Sequence, residues 1–151
     1  MTTERNESCA DRIAEHMASR IDDIRNLWNE PHSNEDGYAY KDGYEALNEY
    51  GLSFEYRTGA DGDPAYFIWL LSTGGPHEEF RFYVNPDYTL YKIEFAFLDW
   101  YDGATSPVYD FRTKDKPESD YNLLKEIWHE FFCVGGETEH LQNMVKEADP
   151  E

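Results

Sequence analysis

The stretch AYFIWLLSTGGPHEEFRFYV, residues 65 to 84, contains two apolar segments joined by a polar turn. The first segment, residues 65 to 72, is apolar at almost every position, which is typical of a strand covered on both faces. The turn that follows carries two glycines and a proline, the residues that most often interrupt regular structure. Residues 79 to 84 then alternate in character, as a strand with two different faces does. The stretch therefore predicts a β-hairpin at the centre of a sheet.

Two further strands are predicted on either side of this hairpin. LSFEYR, residues 52 to 57, alternates between apolar and polar side chains, and the region from residue 89 to residue 100 repeats an aromatic or aliphatic side chain at every second position. Short turns link all four segments, so we predict a four-stranded antiparallel meander. The predicted strands cover residues 52–57, 65–72, 79–84 and 89–100. Residues 101 to 118 are predicted as a loop, with one short strand at 108 to 111 as the alternative.

Helices are predicted before and after the strands. Apolar residues recur every three or four positions in the segments at 8–29, 44–50, 119–133 and 137–148. Gly51 directly follows the second segment, which predicts a C-terminal cap there. The order of elements indicates an α+β fold with the N-terminal and C-terminal helices packed on one face of the sheet. At 151 residues the chain is predicted to form a single domain, residues 1 to 151.

The charge of the chain is strongly negative and is spread along its whole length. The sequence has 13 basic and 32 acidic residues, a net charge of −19. Residues 1 to 63 hold 15 acidic and 6 basic residues, or −9, and residues 64 to 151 hold 17 and 7, or −10. Nucleic acid and anionic membranes both require lysine and arginine, so neither is expected as a direct partner. A basic protein is the expected partner.

The spacing of the cysteines, the short apolar segments and the polar N-terminus indicate a cytoplasmic protein. Cys9 and Cys133 lie far apart, without the spacing of a zinc site or a disulfide framework, and are predicted to be buried, inactive thiols. No apolar segment approaches 18 residues, and the N-terminal MTTERNES is polar, so neither a membrane span nor a secretion signal is expected.

No sequence pattern predicts catalysis, a metal or a cofactor. The calcium-loop spacing is absent, and the glycines of GGPHEE lack the lysine of a phosphate-binding loop. His129 and Cys133 lie four residues apart, with His140 beyond them, so a zinc site is the alternative to a buried cysteine beside two solvent-facing histidines. We predict a protein that is not an enzyme, with no metal and no cofactor.

The predicted functional site consists of two acidic segments. In a meander, the turn between the second and third strands lies at the same end of the sheet as the end of the fourth strand. The residues predicted to project there are His77, Glu78, Glu79, Asp99, Trp100, Tyr101 and Asp102. Carboxylates with aromatic anchors are typical of protein interfaces and would attract a basic partner. The alternative is an ordinary polar turn with Trp100 in the core.

The strings LLSTGGPHEEFRFYV and IEFAFLDWYDGA, within residues 66 to 104, resemble a pattern found in small acidic proteins of phages, plasmids and integrated elements. The resemblance implies a mobile-element setting, in which such proteins block host nucleases by occupying a nucleic-acid groove. It leads us to expect an inhibitor of a nucleic-acid-handling host protein, of anti-restriction or anti-CRISPR type, that mimics nucleic acid. An immunity protein for a cognate toxin and a small binding protein without mimicry are the alternatives.

Overall fold

The computed structural model describes residues 8–29, 32–33, 40–41, 43–59, 62–99, 101–108, 120–133 and 137–148. Side chains are described in these ranges except at 29, 32–33, 40–41 and 43–45. The helices are α1 (Cys9–Asn29), α2 (Gly43–Tyr50), α3 (Asp120–Ile127), which continues into a π-helical turn (Trp128–Phe132), and α4 (Glu139–Ala148). The strands are β1 (His32–Ser33), β2 (Tyr40–Lys41), β3 (Ser53–Arg57), β4 (Tyr66–Ser72), β5 (His77–Val84), β6 (Leu90–Asp99) and β7 (Asp102–Pro107). The fold class is α+β, as predicted.

The main sheet has five antiparallel strands in the order β3-β4-β5-β6-β7, so every strand pairs with its neighbours in the chain. The predicted meander is therefore confirmed, but the prediction of four strands is wrong. The two-residue strands β1 and β2 pair with each other in a separate, small sheet.

The missed strand, β7, forms a tight hairpin with β6. Asp99 pairs with Asp102, which leaves a two-residue loop, and Tyr101 in that loop has a left-handed backbone with φ of 65°. Such turns usually contain glycine or asparagine, so WY gave no turn signal. The strand itself reads DGATSP, and its glycine and proline are tolerated because β7 is an edge strand. The alternative strand at residues 108 to 111 lies almost entirely outside the described residues.

One apolar core cluster contains side chains from the sheet and from all four helices. Five phenylalanines that project from β4, β5 and β6 are fully buried, and each contributes about 2 kcal/mol through removal of apolar surface from water. They belong to one apolar cluster with helix side chains. The helix members of that cluster include Ile13, Ile21, Ile24, Leu47, Leu124, Ile127, Trp128 and Leu141. This cluster fixes the helices beside the sheet and so determines which strand residues they can contact.

Gly51 follows α2, as the sequence predicts, but the reason for the glycine differs from the predicted one. Its amide donates a hydrogen bond of 3.3 Å to the carbonyl of Leu47, which closes the helix. A Cβ atom at Gly51 would overlap the indole ring of Trp69. Glycine is thus required by the close approach of a buried ring. Gly51 does not have the positive φ of a common glycine cap.

Candidate functional site

The residues predicted for the functional site lie on two turns at one end of the sheet. The first turn joins β4 to β5, and the second joins β6 to β7. His77, directly after the first turn, pairs with Leu98, shortly before the second turn, so the predicted proximity of the two segments is confirmed. An open cleft of about 510 Å³ lies between the turns. We call its lining the tip surface, which consists of Gly74, Gly75, His77, Leu98, Asp99, Tyr101, Asp102 and Gly103.

The two glycines of the first turn are required by backbone conformation. Gly74 has φ of 101° and Gly75 has φ of 142°, values that residues with a Cβ atom rarely adopt. No atom lies within 4 Å of a Cβ built at either position, so space is not the limiting factor. The turn exposes its backbone beside the cleft.

Glu78 does not project from the tip surface, and the expectation of an exposed carboxylate is wrong here. Its residue exposure is 4 %. One carboxylate oxygen accepts a hydrogen bond of 2.7 Å from Nε of Arg20, and the other lies 3.1 Å from Nδ1 of His16. The ring of His16 stacks on Phe97, with 4.3 Å between the centroids. Glu78 therefore faces α1 and ties that helix to the sheet.

Glu79 is also buried, on the opposite face of the sheet, so the same expectation is wrong a second time. Its exposure is 4 %. Its two oxygens lie 2.6 Å from Nε2 of His77 and 2.6 Å from Nε of Arg81, both on the same strand. The guanidinium of Arg81 lies 5.1 Å from the centre of the Tyr66 ring. Successive strand residues point to opposite faces, which is why neighbouring glutamates have separate partners.

Asp99 is held by α1 as well. Nη1 of Arg12 donates a hydrogen bond of 2.8 Å to its carboxylate, whose side chain is 13 % exposed. The same guanidinium lies 4.9 Å from the centre of the Phe97 ring. Arg12, His16 and Arg20 follow at intervals of four residues, so they form a row along one flank of the helix.

Asp102 is exposed, and it binds the start of α1. Its carboxylate accepts hydrogen bonds of 2.8 Å from the amide of Cys9 and 2.9 Å from that of Gly103. These bonds, the Cys9 amide first, hold the pKa of Asp102 below its usual value. Ser8 completes the cap, because its hydroxyl accepts from the amide of Asp11 while the Asp11 carboxylate accepts from the amide of Ser8.

Tyr101 is the most exposed aromatic residue of the tip surface. Its relative exposure is 106 %, and Leu98, which also lines the cleft, is 39 % exposed. Among the described residues, only Tyr101 and Tyr88 combine a positive φ with a side chain. Trp100, the other predicted anchor, lies outside the described residues.

The arginines were not predicted as partners of the carboxylates at this site, although Arg12 pairs with Asp99 and Arg20 with Glu78. Each of the five arginines with a described side chain lies within 3.3 Å of a carboxylate. These are Arg12, Arg20, Arg25, Arg57 and Arg81. The spacing of Arg12, His16 and Arg20 beside the apolar stripe of α1 was the sequence signal for this row.

The described residues contain two free, buried cysteines, as predicted, and no group of three or more acidic, histidine or cysteine side chains that would hold a metal ion. Burial, followed by the neighbouring Asp102, raises the pKa of the Cys9 thiol. Burial also raises the pKa of Cys133 to about 11. Neither thiol is therefore activated as a nucleophile.

None of the helices in the described ranges is long and apolar enough to cross a membrane. Comparison of the chain with protein-family models, curated proteins and solved structures gives no match.

Proposed function

We propose that the protein is an acidic inhibitor that binds a basic, nucleic-acid-handling protein and blocks its nucleic-acid site. The observation that carries this proposal is the full exposure of Tyr101 at the rim of the cleft. A left-handed backbone at a residue with a side chain costs about 1 kcal/mol, and such strain is typically retained where it serves recognition. Tyrosine is also among the residues that most often dominate binding energy at interfaces.

The exposed charge beside the tip surface favours a basic partner. Asp11, Glu15 and Asp22 lie on the outer side of α1, and all three are exposed. The amide of Cys9, the first residue of α1, donates to Asp102 of the tip surface, so this row begins close to the tip surface and extends about 16 Å along the helix at 1.5 Å per residue. Exposed carboxylates of one sign accelerate the capture of an oppositely charged protein.

In this mechanism the buried and the exposed carboxylates have different tasks. Glu78 and Asp99 hold α1 against the sheet, and the helices pack on one face of that sheet. The outer carboxylates of α1 contact lysines and arginines of the partner. Tyr101 and Leu98 supply the apolar contact. Carboxylates in the place of phosphates release counterions on binding, so affinity falls as salt rises. The host targets that fit are restriction or CRISPR nucleases, as the resemblance to mobile-element proteins implies.

The test is capture of a partner from nuclease-treated host lysate, followed by an assay of that partner's DNA or RNA binding. Tyr101→Ala is expected to lose capture and inhibition, whereas the control Leu52→Ala, an apolar side chain that is 58 % exposed outside the tip surface, keeps both. Asp11→Asn combined with Glu15→Gln and Asp22→Asn is expected to weaken binding most at low salt.

Equal capture by Tyr101→Ala and Leu52→Ala, or an affinity that does not change with salt, would contradict the proposal. Capture of a toxin encoded beside this chain would instead identify an immunity protein.

A further inference from the structure

A second pocket, of about 270 Å³, opens at the end of the sheet opposite to the tip surface. It lies where β4 and β6 begin and where β3 and β5 end. Its lining is rich in tyrosine and proline. We call it the tyrosine pocket and define it by Tyr56, Pro64, Tyr66, Pro86, Tyr88 and Tyr91.

Tyr88 occupies a turn position at which a side chain is unfavourable. Its φ is 68°, in the region that favours glycine. The turn needs only its backbone, because the Tyr88 amide donates to the carbonyl of Asn85 and the Tyr88 carbonyl accepts a hydrogen bond of 3.1 Å from Nε1 of Trp128. Glycine would make both bonds without strain. The Tyr88 ring packs against Phe67, with 6.5 Å between the ring centroids, and it also lines the pocket, so core packing and the pocket both account for a side chain at this position.

Two exposed carboxylates stand beside the prolines of the pocket. Asp63 precedes Pro64, and Asp87 follows Pro86. The hydroxyl and then the amide of Thr89 donate to Asp87 and hold its pKa below the usual value, so Asp87 is ionised at neutral pH. Two negative charges are thus adjacent in the chain to the lining residues Pro64 and Pro86.

Three basic side chains on the strands beside the pocket already have carboxylate partners. Arg57, Arg81 and Lys92 lie 3.3, 2.6 and 3.3 Å from carboxylates of Glu55, Glu79 and Glu94. Lys146 and Glu147 follow the lining residue Val145 in the chain and carry opposite formal charges. The ammonium of Lys92 lies 4.8 Å from the centre of the Tyr83 ring, so tyrosine faces next to the pocket already contact cations.

We propose that the tyrosine pocket binds the guanidinium group of an arginine side chain presented by a protein partner. Tyrosine rings attract cations through their negative faces, and a planar guanidinium stacks on such rings more readily than an ammonium group does. Asp63 and Asp87 supply the complementary charge. The pocket and the tip surface share no residue, so this inference does not depend on the proposed function.

The experiment is an NMR titration of the full-length, ¹⁵N-labelled protein with N-acetyl-arginine methylamide. The matched control ligand is N-acetyl-citrulline methylamide, which has nearly the same shape and no charge. The arginine compound is expected to shift the amide signals of Tyr66, Tyr88 and Tyr91, and the citrulline compound is expected to bind at least threefold more weakly.

Two variants and one control complete the experiment. Tyr91, 48 % exposed, is replaceable without loss of core packing, and Tyr91→Ala is expected to weaken arginine binding about threefold. Asp63→Asn is expected to weaken it about twofold at low salt only. Tyr101→Ala, at the other end of the sheet, is expected to leave it unchanged.

Equal shifts with arginine and citrulline, shifts outside the pocket, or equal effects of Tyr91→Ala and Tyr101→Ala would overturn the inference. A failed titration would leave the proposed function intact, because that function is tested through Tyr101 and a captured partner.

Discussion

Glu78 and Glu79 are neighbours in β5, yet Glu78 stabilises contacts between a helix and the sheet, whereas Glu79 stabilises contacts within its own strand. Both are 4 % exposed, and each carboxylate contacts one arginine and one histidine. The partners of Glu78 belong to α1, 58 and 62 residues away in the chain, whereas those of Glu79 belong to its own strand, two residues to either side.

Identical chemistry at adjacent positions thus stabilises tertiary structure in one case and local structure in the other. Arg20, the partner of Glu78, also donates a hydrogen bond of 3.0 Å to the hydroxyl of Tyr50 at the end of α2. Loss of Glu78 therefore affects two helices and the sheet. Loss of Glu79 affects one face of the sheet.

The largest expected effect is that of Glu78→Gln. Glutamine keeps the shape of the side chain but leaves the guanidinium of Arg20, which is 22 % exposed, without its counter-charge between helix and sheet. Removal of one member of a buried ion pair costs about 3 kcal/mol. Urea unfolding followed by circular dichroism would measure it, and a loss below about 1 kcal/mol would contradict the tertiary role.

Glu79→Gln is expected to cost less, about 1.5 kcal/mol. The mutation weakens charge-assisted hydrogen bonds within one strand, and Arg81 remains stacked on Tyr66. The same urea measurement applies, with Glu55→Gln as control, because Glu55 pairs with Arg57 at the exposed sheet edge and is expected to change stability by less than about 0.5 kcal/mol. If Glu79→Gln cost as much as Glu78→Gln, the comparison would fail.

The reactivity of the Cys9 thiol reports on the opening of α1, and that of Cys133 serves as the reference. Cys9 lies in its first turn and is 2 % exposed, while Cys133 follows the π-helical turn and is 3 % exposed. Glu78→Gln is expected to increase alkylation of Cys9 by iodoacetamide about tenfold relative to Cys133, because α1 opens more often. Glu79→Gln is expected to leave the ratio unchanged. Mass spectrometry after peptide digestion measures both sites, and parallel increases at both cysteines would indicate global rather than local opening.

The smallest expected effect is the pH dependence of the Asp102 cap. The folded-state pKa of Asp102 lies below its unfolded value of 3.8, so its contribution to stability is fully present above about pH 4 and is lost as pH falls through the folded pKa. Asp102→Asn is expected to be slightly less stable than the natural chain at pH 7, and this difference is expected to shrink as the pH falls below about 4. Thermal unfolding across this range tests it, and a gap that persists at low pH would assign the effect to geometry instead of charge.

Much of the fold follows from periodicity in the sequence. The alternation in residues 52 to 57 and 79 to 84 and the helical spacing in residues 8 to 29 match β3, β5 and α1 within two residues. Strand β7 was missed because an edge strand tolerates DGATSP, whose composition favours a loop. Local pattern cannot reveal which strands lie at an edge.

The candidate site was predictable in position but not in exposure. Turn chemistry placed the two segments together, because a meander fixes which turns share an end. The burial of Glu78 depends on Arg20, which lies 58 residues earlier in the chain. The local sequence around GGPHEE does not indicate this partner. Carboxylates are rarely buried unless paired, so the surface was the expected place for both glutamates.

Hydrogen exchange of the α1 amides would show whether Glu78 fixes α1 to the sheet and is therefore not a partner-binding carboxylate. Spectra of the natural chain, Glu78→Gln and Glu79→Gln would be compared under native conditions. We predict exchange at least tenfold faster in α1 for Glu78→Gln, with α1 unchanged in Glu79→Gln. Unchanged α1 protection in Glu78→Gln would show that Glu78 does not fix α1 to the sheet. Its carboxylate would then be a candidate for binding a partner.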